Sequence, residues 1–164
     1  GMLGLSTAKE GVTLERTMTV NRPPREVYDF WHNIENLPRF MKHLESVRAT
    51  DGGRSHWVAK GPGGITVEWD AETTEDRPAE CISWRSTEEA DISNAGTVEF
   101  HEAPGGRGTE LKVKITYLPP LGAAGRVAGE IGNYFSAQQI EEDLKRFKQV
   151  MESGEITTAA RTIQ

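Results

Sequence analysis

The sequence predicts an α+β domain: an antiparallel sheet of about seven strands, two short helices after the first strand, and a long C-terminal helix. Three observations carry this expectation. Apolar residues alternate at period two through most of residues 13–118, the spacing of strands with one buried face. Turn signals recur at Asp51-Gly52-Gly53, Gly61-Pro62-Gly63-Gly64, Arg77-Pro78-Ala79 and Pro104-Gly105-Gly106, and connections this short make sequential strands antiparallel. Beyond Leu121 the chain turns to helix formers, with Ile140, Leu144, Phe147 and Met151 at steps of four, three and four.

The first strand is expected from Thr13 to Val20, where Leu14, Arg16, Met18 and Val20 alternate with Glu15, Thr17 and Thr19. Asn21-Arg22-Pro23-Pro24 ends it, and Pro24 suits the first turn of a helix, where a backbone N–H has no partner to lose. Val27, Phe30, Trp31 and Ile34 then fall at helical spacing, and a break near Asn33 leads to a helix of one or two turns around Glu35 to Met41 that contains Pro38. Further strands are expected at about 43–50, 54–60, 64–76, 81–87, 94–102 and 108–118. In the long helix, Gly122, Gly125, Gly129 and Gly132 share one stripe. Such bare backbone permits close packing on the sheet, leaves volume for a ligand, or marks a loop-like lead-in. The apolar phase slips by five between Phe135 and Ile140, which predicts a kink or break between Gly132 and Ala137. Residues 1–12 read as a flexible leader and 157–164 as a flexible tail, so the domain is expected over 13–156.

At 164 residues the chain has the length of one domain, and its 36% hydrophobic and 27% charged residues suit a soluble globular protein. No stretch approaches the roughly 18 apolar residues of a membrane-spanning helix. The single cysteine, Cys81, excludes an internal disulfide and a thiolate zinc cluster, and makes a reducing, cytoplasmic location the expectation. A net charge of -6 argues against nucleic acid as a partner, and residues 51–100 hold 11 acidic against 4 basic side chains, placing the negative field on strands. There is no Gly-Lys-Ser/Thr phosphate loop, no His-Glu-x-x-His and no Gly-x-Ser-x-Gly, so neither a metal nor a cofactor is indicated.

The order of elements, one strand, two short helices, six strands and a long helix, resembles the helix-grip fold of the START-like, or SRPBCC, superfamily. The run from Val20 to Trp31, with its Asn21-Arg22-Pro23-Pro24 opening, is similar to that superfamily's strand-to-helix signature, and Asn36-Leu37-Pro38-Arg39-Phe40-Met41 continues it. Val67-Glu68-Trp69-Asp70-Ala71, Ile82-Ser83-Trp84-Arg85-Ser86 and Glu142 to Lys148 resemble bacterial members grouped as polyketide cyclase/dehydrase-like. The resemblance implies a curved sheet wrapped about the long helix, with a cavity between them for lipids, quinones, polyketides or similar molecules. It does not imply catalysis.

Taking the more apolar parity of each strand as inward places Trp57 with Ala59, Trp69 with Ile65, Val67 and Ala71, Trp84 with Ile82, and Phe100 with Val98. Tyr117 ends the series Leu111, Val113, Ile115. Such residues either pack a core or line a cavity. In the second case the ligand-binding candidates are Trp57, Trp69, Trp84, Asn94, Phe100, Tyr117 and Tyr134. Arg16, Glu45, Ser55 and Thr73 share the inward parity, whereas Glu68, Asp70, Glu72, Thr74 and Cys81 fall outward. His56 and His101 also face out, and His32 lies off the apolar face of its helix. His43 shares the parity of Val47 and Ala49 at the mouth of its strand, which makes it the candidate for moving protons near neutral pH. Three functions stay open: binding of a small hydrophobic molecule (lipid, quinone or polyketide-like), a polyketide cyclase/aromatase or dehydratase activity, and a ligand-free interaction or regulatory role.

Overall fold

The computed structural model describes residues 12–60, 64–90, 92–118 and 137–153. Residues 1–11 of the leader, the tail, the glycine stripe, the expected kink and Tyr134 lie outside these residues, while Val12, expected in the leader, is the first residue of the first strand. Strand β1 (Val12–Val20) leads into helix α1 (Pro24–His32) and a 3-10 helix (Ile34–Arg39). Six strands follow: β2 (Leu44–Ala49), β3 (Arg54–Lys60), β4 (Thr66–Arg77), β5 (Cys81–Ser86), β6 (Ser93–Glu102) and β7 (Thr109–Leu118). Helix α2 (Ala137–Ser153) closes the described chain. All pairings in the sheet are antiparallel, in the order β1-β7-β6-β5-β4-β3-β2. The first two strands are therefore opposite edges, and α1 with the 3-10 helix spans between them.

Local chemistry explains each joint. Pro24 sits at the first position of α1 after an extended Pro23, and the helix buries Val27, Tyr28, Phe30 and Trp31. Pro38 inside the following segment removes a donor and limits it to 3-10 geometry, with Leu37 buried beneath. Gly108 has φ +108°, and a Cβ there would lie 2.3 Å from the Val20 carbonyl, so only glycine lets this turn pass the end of β1.

Polar contacts fix α2 across the sheet at several points. Lys148 Nζ donates to the Thr19 carbonyl at 2.6 Å, and the Arg22 side chain donates to the Met151 carbonyl at 2.9 Å. Arg16 Nε lies 3.2 Å from Glu141 Oε1, which accounts for an arginine on the inward parity of β1. Arg146 Nε donates to the Phe40 carbonyl at 3.0 Å beyond the 3-10 helix. Between these ties Phe147 is fully buried, with ring centroids 4.8 Å from Phe40 and 5.4 Å from Trp31. This end of the core is filled by aromatic rings.

Four inward or outward expectations are corrected. A bulge between Leu44 and Ser46 turns Glu45 out to solvent while Leu44 and Val47 stay buried. A second register shift between Thr73 and Glu75 interrupts the alternation of β4. Thr73 is exposed, and the Asp76 carboxylate beyond the bulge accepts a hydrogen bond from Tyr28 and pairs with His32 of α1. Ile65 precedes the paired part of β4 and is 41% exposed, so it is no companion of Trp69 in the interior. Cys81 is buried at the start of β5, against its outward parity.

The outward carboxylates are solvated as expected. His56 is held between Asp70, at 2.7 Å from Nδ1, and Glu68, at 2.8 Å from Nε2. These bonds, the one to Asp70 first, raise its pKa above the ordinary 6.5.

Candidate functional site

Away from Phe147 the interior opens into a cavity of about 60 Å³, counted as space open to the centres of water-sized molecules. One water needs roughly 10–15 Å³ on that measure, so the space exceeds a packing defect. The sheet side is walled by Trp57, Trp69 and Trp84, and the helix side by Ile140, Asp143 and Leu144. Trp57 and Trp69 are direct cross-strand partners and stack at 5.8 Å with a 19° interplanar angle. Trp84 stacks on Trp57 at 6.0 Å and 21°. Such stacking adds to burial roughly 0.5–1.5 kcal/mol per pair and holds the rings as a flat wall.

Trp84 keeps its place because its Cα partner across the ladder is Gly96. A Cβ on Gly96 would meet the indole at 2.2 Å. The polar groups of the wall are also constrained. Trp57 Nε1 donates to the Ser55 hydroxyl at 2.8 Å, so the inward polar Ser55 serves the tryptophan beside it. Trp84 Nε1 donates to Asn94 Oδ1 at 3.3 Å, and Asn94 Nδ2 donates to the Ile92 carbonyl at 2.9 Å.

One polar corner interrupts the apolar lining. His43 precedes β2 and is buried in the cavity wall, with Nδ1 3.5 Å from Asp143 Oδ2. Asp143 Oδ1 accepts from Arg146 Nη2 at 2.6 Å and from Gln139 Nε2 at 3.0 Å. Burial, assisted by the Arg146 charge, lowers the His43 pKa from 6.5 to about 4, so the imidazole is neutral at physiological pH. Burial raises the Asp143 carboxyl above its ordinary value, against the hydrogen bonds from Gln139 and Arg146 that pull it down.

Of the residues singled out from sequence, Trp57, Trp69, Trp84, Asn94, Tyr117 and His43 are placed in the cavity wall. Burial raises the pKa of the Tyr117 phenol. Phe100 is elsewhere: it is buried against Tyr28, edge to face at 5.6 Å, and does not line this cavity. Sequence reasoning misses Asp143 and Arg146. The signal for Asp143 is its position three residues after Ile140 and four before Phe147, on the buried face of the helix.

Residues 20–145 match the model of the family described as polyketide cyclase / dehydrase and lipid transport. All the described lining residues fall inside that match. An uncharacterised 17.2 kDa protein from the melC2-rnhH intergenic region of Streptomyces lincolnensis is 30% identical over 139 residues, 85% of this chain and 89% of that protein. The solved structure of DR_A0006 from Deinococcus radiodurans is 38% identical with a TM-score of 0.73, covering 87% of this chain and 98% of that one. The ZhuI aromatase/cyclase from a Streptomyces species is similar in fold alone, at 19% identity and a TM-score of 0.59 over 94% of this chain and 96% of its own.

Proposed function

We propose a function from the premise that the chain belongs to the polyketide cyclase/dehydrase and lipid transport family: it binds a small hydrophobic molecule between the sheet and α2. The observation that carries the reading is the cavity itself, whose three sheet tryptophans face Ile140 and Leu144 across open space. A flat aromatic wall opposite aliphatic side chains suits a planar or chain-like apolar body, such as a lipid tail, a quinone ring or a polyketide. No helix among the described residues is long and apolar enough to cross a membrane.

Native mass spectrometry of protein purified without detergent tests the reading. The expected result is a retained apolar molecule, or uptake of added N-phenyl-1-naphthylamine, lost when Ile115→Phe fills the cavity. Absence of both in the wild type rejects ligand binding and favours an interaction domain.

A second reading, acid–base catalysis on a polyketide-like substrate, has one specific observation in its favour. His43 lies buried in the cavity wall with Nδ1 3.5 Å from Asp143 Oδ2, and it is neutral, so its imidazole has a lone pair that can take a proton as a general base. Turnover of a poly-β-keto mimic separates this reading from simple binding.

A further inference from the structure

Three tryptophans belong to the sheet wall of the cavity, and the indole N–H of each can only donate. Those of Trp57 and Trp84 are committed to Ser55 and Asn94. Asn94 is itself fixed, since its side-chain amide donates to the Ile92 carbonyl and its backbone N–H donates to the Ser86 hydroxyl at 2.9 Å. The third donor, Trp69 Nε1, is buried with no acceptor among the described residues. Trp69 as a whole is only 7% exposed, and its stacking on Trp57 opposes rotation of the ring towards another partner. A buried donor without an acceptor is rare because it loses its hydrogen bond to water and gains none in return.

We infer that the ligand of this cavity carries a hydrogen-bond acceptor, a carbonyl or ether oxygen on an otherwise apolar body, that meets the indole N–H of Trp69. Trp69 is then a specificity-determining residue and not only part of an aromatic surface. The inference rests on the apolar-ligand reading above and adds the chemical class of the ligand's polar group. A pure hydrocarbon chain leaves the donor unpaired, so it is discriminated against. A hydroxyl is accepted only through its oxygen lone pair.

The matched pair 1-indanone and indane tests this, because the two share one bicyclic skeleton and differ in a carbonyl. Their affinities for wild type and for Trp69→Phe form a cycle in which the different hydration of the two probes cancels. The expected result is that the preference for 1-indanone over indane falls by roughly five- to tenfold in the variant. Independently of any variant, the Trp69 indole ¹H–¹⁵N resonance of the wild type is expected to move downfield with 1-indanone and much less with indane. If both probes bind, with the same preference in both proteins and equal resonance shifts, the acceptor inference is overturned while the cavity reading stands. If neither probe binds, the cavity reading fails and the inference fails with it.

Discussion

Replacing Gly96 by alanine isolates the contact that shapes the cavity wall. The added Cβ would lie 2.2, 2.4 and 2.8 Å from Cζ2, Cη2 and Cε2 of Trp84. Carbon atoms in ordinary contact stand about 3.5 Å apart or more, so the indole must retreat by more than about 1 Å. It is a rigid ring, so it moves as a whole. Its N–H is bonded to Asn94 on the same strand as Gly96 and its ring stacks on Trp57, so retreat from the new methyl lengthens the hydrogen bond and disturbs the stack. Overpacking of this kind costs roughly 1–3 kcal/mol, and the weakened hydrogen bond adds about 1 kcal/mol. For a domain of this size each kcal/mol moves the melting temperature by roughly 2–4 °C, giving a fall of about 5–15 °C. Circular dichroism melts measure it. Because the two side chains touch, adding Trp84→Leu to Gly96→Ala should relieve the clash, so the double variant is more stable than the sum of the single effects predicts by at least about 1 kcal/mol. A melting temperature within about 1 °C of wild type, or strict additivity in the double variant, refutes the argument that Gly96 makes room for the Trp84 ring.

Two histidines should depend on pH in opposite senses. Between its folded pKa of about 4 and its ordinary 6.5, His43 is neutral in the native state and protonated in the unfolded chain. Its contribution is therefore fully present above pH 6.5 and is lost as the pH falls towards 4. It amounts to roughly 2–3 kcal/mol between pH 7 and 4.5. Urea unfolding at those two pH values should show this loss in wild type and not in His43→Asn, whereas Asp143, with a raised pKa, pulls the other way in both proteins. Equal pH dependence in the two proteins rejects the burial argument. For His56 the folded pKa is raised, so its contribution is present below pH 6.5 and lost as the pH rises through the folded value. Its NMR titration midpoint should lie above 6.5 and fall in Asp70→Asn, and a wild-type midpoint at or below 6.5 contradicts the clamp.

The order of elements and the inward side of most strands were legible in the sequence because period-two burial leaves a direct mark on composition. The places where the reading failed are those where geometry carries no such mark. The bulges near Glu45 and Thr74 each insert one residue without a glycine or proline to announce it, and each resets the parity of the residues beyond it. Asp143 reads as one more acidic residue on a charged helix unless its offset from Ile140 and Phe147 is weighed above its polarity. The satisfied and unsatisfied indole N–H groups depend on distances of a few ångströms between strands, which spacing alone does not supply.

Parity also left a choice between a packed core and a lined cavity, because it says which side chains face inward and not what they meet. The structure resolves it along one helix. Where α2 presents Phe147, the opposing Phe30, Trp31 and Phe40 close on it at centroid distances of 4.8–5.8 Å. One and two turns earlier it presents Leu144, Asp143 and Ile140, which are smaller, while the sheet opposite offers tryptophans that stack on one another. The volume missing from the helix at those positions is not recovered by the rings, since lying flat against their neighbours keeps them from reaching across. A taper in side-chain size along an amphipathic helix, set against stacked rings on the facing strands, is therefore what turns an ordinary inward parity into open space. Both halves of that pattern are present in the sequence once the register between α2 and the sheet is known.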